Sequence, residues 1–182
     1  MDANGDTTAS RVIAGIDWST QNGADVINLS FGSYQQSDFL RSAIDQAYAR
    51  GNGAVVVAAA GNEGTTAEQY SAAYDAAIAV SATNENDKLA YFSSRGNWVE
   101  LAAPGTYILS TRATRVDEAY YKYTGTSESA PFVSALAGLL ASEGKTAIEI
   151  RQRMQNTAKD LGAAGYDPKF GHGRIDANSA VP

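Results

Sequence analysis

The chain has 182 residues, 44% of them apolar and 19% charged, which fits one folded domain and is too apolar for a disordered chain. Fourteen basic against 20 acidic residues leave a net charge of −6, which argues against nucleic acid or an anionic membrane as partner, since both need a basic footprint. There is no cysteine, so disulfide and thiolate chemistry are excluded, and the one histidine, His172, excludes a multi-histidine metal site within the chain. No apolar run approaches the ~18 residues of a membrane span. Met1 to Asp6 has neither the basic nor the apolar stretch of a signal peptide.

Residues 1–8 are polar and read as a loop. Ala9, Val12, Ile13, Ile16 and Trp18 follow with helical period, and Asn22-Gly23 stops that helix. Val26 to Ser30 is a short strand. Ser37 and Asp38 can cap a helix carrying Phe39, Leu40, Ala43, Ile44, Ala47 and Tyr48, ended by Gly51-Asn52-Gly53. Ala54 to Ala60 is continuously apolar rather than alternating, as in a parallel strand covered on both faces. Residues 26–60 therefore read as strand, helix, strand with a right-handed crossover. Ile78 to Val80 and Val99 to Ala103 fit further strands, and Tyr91 to Trp98 a loop. Helices are expected over 127–142 and 146–158, and the tail from Gly162 reads as loop. The expected fold class is α/β, a parallel sheet with helices on both faces, in one domain over residues 1–182.

Three segments carry chemistry-bearing residues. Gly125-Thr126-Ser127-Glu128-Ser129-Ala130-Pro131 opens an apolar helix pattern, so Ser127 stands at a helix N-terminus, which favours developing negative charge. Pro131 is expected in the first turn, where its missing N–H has no helical partner. A simple N-cap on Thr126 or Ser127 accounts for the same pattern. Ala60-Gly61-Asn62-Glu63-Gly64 ends the most buried strand, where open parallel sheets bind ligands, and Asn62 offers an amide donor. A strand-ending turn explains it equally, and a phosphate loop less well, because no Gly-Lys-Ser/Thr follows. Leu29-Ser30-Phe31-Gly32-Ser33 ends another strand.

Taken together and in order, these segments resemble the subtilisin-like serine proteases, the subtilases. Gly125, Thr126, Ser127, Ser129 and Pro131 fit the nucleophile motif Gly-Thr-Ser-any-small-any-Pro. Ala60-Gly61-Asn62 matches the segment of the oxyanion asparagine, and Ser30-Phe31-Gly32 the substrate-binding strand end. Tyr91 to Gly96, Leu101 to Gly105 and Gly171 to Ala177 resemble further family segments, so the likeness spans essentially the whole chain. The resemblance implies a subtilisin-like endopeptidase acting on polypeptide substrates, most often outside the cytoplasm. Ser127 is the implied nucleophile and Asn62 the oxyanion donor. Ser30, Phe31, Gly32, Ala60 and Gly61 line the substrate pocket, and Gly5-Asp6-Thr7 aligns with the edge that pairs with substrate.

A serine hydroxyl is a weak nucleophile without a base. The family's base is a histidine oriented by an aspartate, and both motifs precede the segment matched here. The chain thus resembles the C-terminal part of a catalytic domain, without the N-terminal strands. The Asp and His are expected from an N-terminal fragment, and the chain alone is expected to be inactive. The strand at 26–30 then becomes an open edge that invites pairing. Ser127, Asp167 and His172 do run in the order of α/β-hydrolases, but the second glycine of their nucleophile elbow is missing. Glu128 stands where the family often has methionine. It favours a basic residue on the leaving side of the substrate, opposes the oxyanion, or is simply a solvated glutamate. No cofactor is required. Calcium stays open, with carbonyls around Ala72, Tyr74 and Ala77 and the Glu100 carboxylate the one place the alignment offers. The alternatives are a catalytically silent peptide-binding or scaffold module, and an α/β small-molecule binder using residues 61–65.

Overall fold

The structure is a computed structural model that describes residues 7–49, 53–112 and 119–181. Its elements are α1 (Ala9–Gln21), β1 (Val26–Leu29), α2 (Asp38–Ala49), β2 (Val55–Ala59), β3 (Ala77–Thr83), β4 (Leu101–Pro104), β5 (Ile108–Thr111), β6 (Tyr120–Tyr123), α3 (Thr126–Ser142), α4 (Ala147–Thr157) and α5 (Ala177–Ala180). Strands β1 to β4 form a parallel sheet in the order β1-β2-β3-β4. The expected α/β sheet with helices on both faces is thus the observed one. Among the described residues β1 pairs with β2 alone, so it is an edge.

The unbroken apolar run of β2 serves two cores at once. Successive strand residues point to opposite faces. Val55, Val57 and Ala59 accordingly pack with Ile78, Val80 and Leu101 under Val133, Leu136 and Leu140 of α3 and Ile150 and Met154 of α4. Val56 and Ala58 face the other way, with Ile27 and Leu29, onto Ile16 of α1 and Leu40 and Ile44 of α2. Every residue of β2 and β3 is buried. Helix α3 crosses all four strands, and this fixes its first turn relative to the strand ends.

Local sequence sets the boundaries. The Thr8 hydroxyl accepts from Arg11 N–H to open α1, and Gly23 at φ 75° follows its C-cap. The Ser37 hydroxyl accepts from Leu40 N–H at the start of α2. Thr146 and Glu149 form a reciprocal capping box on α4. Strand β3 is longer than its apolar triplet because Ser81 and Thr83 are buried in it. Three elements carry no apolar pattern and were not expected: the antiparallel pair β5–β6 and the four-residue α5.

One ion cluster ties the tail to the sheet. Lys159 Nζ donates to Asp87 Oδ2 at 2.8 Å, and Arg174 Nε lies 2.7 Å from Asp87 Oδ1, a contact too bent to count as a hydrogen bond. The Lys159 hydrogen bond holds the Asp87 carboxyl below its ordinary range, aided by the Arg174 charge and opposed by partial burial. A depressed carboxylate stabilises the fold above its unfolded pKa, and that contribution is lost as pH falls through the folded value. Asp87→Asn keeps the shape and the left-handed backbone (φ 57°) that asparagine tolerates. We expect it to cost about 1 kcal/mol at pH 7, a partly exposed cluster being worth no more. In urea titrations the difference from wild type should shrink steadily below pH ~4.

Candidate active site

In a parallel sheet the C-terminal strand ends share one edge. Residues 30–32 leave β1 there and residues 60–62 leave β2. Gly105 follows β4, and its carbonyl accepts from Gly125 N–H at 2.9 Å, delivering the N-terminus of α3 to the same edge. Gly105 has no room for a side chain, since a Cβ there would press on Ala82 Cβ at 2.6 Å.

Ser127 is half-buried in the first turn of α3. Its Oγ donates to the Ser30 carbonyl at 2.8 Å, and Ser30 Oγ donates to the Ser127 carbonyl at 2.9 Å. The second bond has a cause in the sequence. Pro131 is the sixth residue of α3, not in the first turn as expected. A helix bonds N–H of residue i to C=O of residue i−4, so Pro131 leaves the Ser127 carbonyl without its helical donor. The Ser30 hydroxyl fills that vacancy.

Thr126 is not a side-chain N-cap either. Gly125 occupies the cap position and no side chain caps the helix. The buried Thr126 hydroxyl accepts from Gly61 N–H at 3.0 Å and donates to Asn62 Oδ1 at 2.9 Å, and Thr126 N–H donates to the same oxygen at 2.9 Å. With Oδ1 doubly engaged, the exposed Asn62 amide turns its Nδ2 away, and Nδ2 has no protein partner among the described residues. Gly61 lets this turn form: its φ is 103°, and a Cβ there would collide with the Gln69 carboxamide.

The remaining expected pocket residues lie on one side of Ser127. Ala60 is buried and donates its N–H to Val80 O at 3.0 Å. Phe31 and Gly32 border a cavity of about 340 Å³ with Thr7, Val12, Leu40 and Tyr70. Gly5 and Asp6 lie outside the described residues. Sequence reading missed three neighbours. Gln69 lies against both Gly32 and Gly61. Glu63 accepts from Asn62 N–H at 3.0 Å and from the Tyr34 hydroxyl at 2.9 Å. Nothing local marks Gln69 or Tyr34, whereas Glu63 was visible as the residue after Asn62. Partial desolvation, followed by the hydrogen bond to Glu63, raises the Tyr34 pKa. Burial also raises that of Glu128, opposed by its own backbone N–H.

Asp167 and His172 do not join this group. Asp167 Oδ1 accepts from Lys169 and Phe170 N–H and Oδ2 from Ala163 N–H, so the carboxylate is spent on its own turn. His172 N–H donates to Glu100 O at 2.8 Å, just before β4 begins, while Ser127 lies beyond the strands' other ends. Four strand residues separate those edges by about 13 Å. Its ring meets Tyr166 edge-on at 5.3 Å.

The calcium position suggested by alignment does not fit the ion. Arg151 grips both Glu100 oxygens, Gln155 Nε2 donates to one of them at 3.0 Å, and Arg151 Nη1 donates to Asp75 O at 2.8 Å. Tyr74 O already accepts from Ala77 N–H. A guanidinium thus fills the place of a cation. Calcium prefers six to eight unspent oxygens.

A serine in the first turn of a helix and an amide with an unengaged donor thus share the carboxyl edge of a three-layer α/β sheet. The sequence model of the subtilase family matches residues 1–173, and the chain belongs to that family. It is 42% identical over 181 residues to thermitase of Thermoactinomyces vulgaris, covering all of this chain and 62% of thermitase. It is 40% identical over 178 residues to the minor extracellular protease Epr of Bacillus subtilis, covering 96% of this chain and 27% of Epr. The chain therefore spans less than two thirds of these relatives. Its fold matches the crystal structure of a lanthipeptide protease with a TM-score of 0.89 at 22% identity, covering 99% of this chain and 67% of the other. Among the described residues no helix is long and apolar enough to cross a membrane.

Proposed function

We propose that this chain supplies the nucleophile and the oxyanion site of a subtilisin-like serine endopeptidase working outside the cytoplasm. The observation that carries the reading is the pinned Asn62 amide. Thr126 holds Oδ1 with two hydrogen bonds, which leaves Nδ2 without a partner among the described residues, 3.3 Å from a Cβ built on Gly125, two positions before Ser127. Ser127 Oγ attacks the scissile carbonyl and the leaving amine departs with a proton. Water then releases the acyl group from Ser127. The developing oxyanion is met by Asn62 Nδ2 and by Ser127 N–H, one of the first-turn donors that no helical carbonyl engages. The segments Ser30-Phe31-Gly32 and Ala60-Gly61 hold the acyl side of the substrate.

The base comes from elsewhere in this reading. Among the described residues Ser127 Oγ has only the Ser30 carbonyl as acceptor, and His172 is at the opposite sheet edge. We assign the Asp and His to an N-terminal fragment of the same catalytic domain, seated against the open edge of β1. The test is a fluorophosphonate, which labels only an activated serine, followed by denaturing intact mass of the native preparation. The expected result is an adduct on Ser127 and a second, smaller polypeptide. A single unlabelled mass would instead mark a catalytically silent chain, a binding module or an isolated fragment.

A further inference from the structure

We propose that Glu128 makes cleavage depend on a cationic side chain immediately beyond the scissile bond, a role that rests on the hydrolase reading above. The placement of two opposed groups leads there. A Cβ built on Gly125 would stand 2.7 Å from Glu128 Oε2 and 3.3 Å from Asn62 Nδ2. The carboxylate and the oxyanion donor therefore converge on one small region beside Ser127. A negative charge there repels the oxyanion that Asn62 is placed to receive.

The surroundings decide what relieves that repulsion. Ser127 and Glu128 open onto a groove of about 550 Å³ walled by Leu109, Tyr123, Pro131 and Phe132, with Glu128 the only charged lining residue among the described residues. Among the described residues no lysine or arginine pairs with Glu128. None of Ser30, Phe31, Gly32, Ala60 and Gly61 lines this groove, which α3 and β5–β6 wall instead, so in the hydrolase reading it takes the leaving half of a substrate. A lysine or arginine suits it in both parts, with an aliphatic stem along Leu109 and Phe132 and a charged head on Glu128. The substrate then neutralises the charge that opposes its own cleavage.

The test uses the native protease preparation and paired peptides that differ only in the residue after the cut, lysine or norleucine. Fluorophosphonate labelling of Ser127 gauges whether the site is active. Wild type should cleave the lysine peptide at least about tenfold faster in kcat/KM, the factor for a single charge-assisted contact of ~1.4 kcal/mol. Glu128→Gln should bring the ratio close to one, mainly by speeding the norleucine peptide, a gain that damaged folding does not produce. Glu128→Lys should favour glutamate after the cut. A labelled wild type with a ratio near one overturns the proposal whatever the variants do. So does an unchanged ratio in labelled Glu128→Gln. An unlabelled wild type overturns the hydrolase reading and this proposal with it.

Discussion

Ser127→Ala is expected to lower kcat for peptide hydrolysis by about 10⁶-fold, the scale found when subtilisin loses its nucleophile. The residue is half-buried, so the change removes a hydroxyl and leaves no cavity of consequence. One hydrogen bond is lost, from Ser127 Oγ to Ser30 O. Its partner bond, from Ser30 Oγ to the Ser127 carbonyl, uses the backbone and survives. A net cost of about 1 kcal/mol follows, the usual worth of one such bond. Melting should therefore shift by a few degrees at most while turnover disappears. Turnover within tenfold of wild type would remove Ser127 from the chemistry altogether.

Asn62→Asp is the second large effect, and the sharper one. The aspartate keeps an oxygen where Oδ1 receives Thr126 N–H and the Thr126 hydroxyl, so the local fold is retained. It replaces the Nδ2 donor by a second oxygen. Loss of the corresponding donor in subtilisin costs about 10²–10³ in kcat, and an added negative charge makes the loss here at least that large. KM should change little, because the donor acts on charge that exists only in the transition state. Steady-state kinetics beside a thermal melt separates the two roles. An equal fall in kcat and in melting temperature would assign Asn62 to structure alone.

Much of the fold was open to a reading of residues in order. The unbroken Val-Val-Val-Ala-Ala of β2 required helices on both sides, and the cap expected at Ser37 stands directly before α2. The β5–β6 pair was not readable, because Tyr120-Tyr121-Lys122-Tyr123 is largely exposed and has no buried alternation. Within the site, Gly-Thr-Ser and Ala-Gly-Asn announced themselves as motifs. Their coupling did not. The bonds between Thr126 and the Gly61-Asn62 turn join residues more than 60 positions apart, and only the packing of α3 across the sheet brings them together. The N-cap reading of Thr126 or Ser127 and the first-turn place of Pro131 failed for one reason: the helix begins at Thr126 with Gly125 before it, which moves Pro131 into the second turn.

Pro131 has a mechanical consequence. By withholding one rung from α3, it leaves that helix fastened to Ser30, the residue directly after the last of β1, through a two-way latch. Helix and strand are thus joined at one point, with the Ser127 hydroxyl in the joint. Among the described residues β1 is the outermost strand, so a polypeptide pairing with its free side would run directly beside that latch. Pairing at the margin of the sheet would in this way tune the aim of the reacting oxygen without touching it.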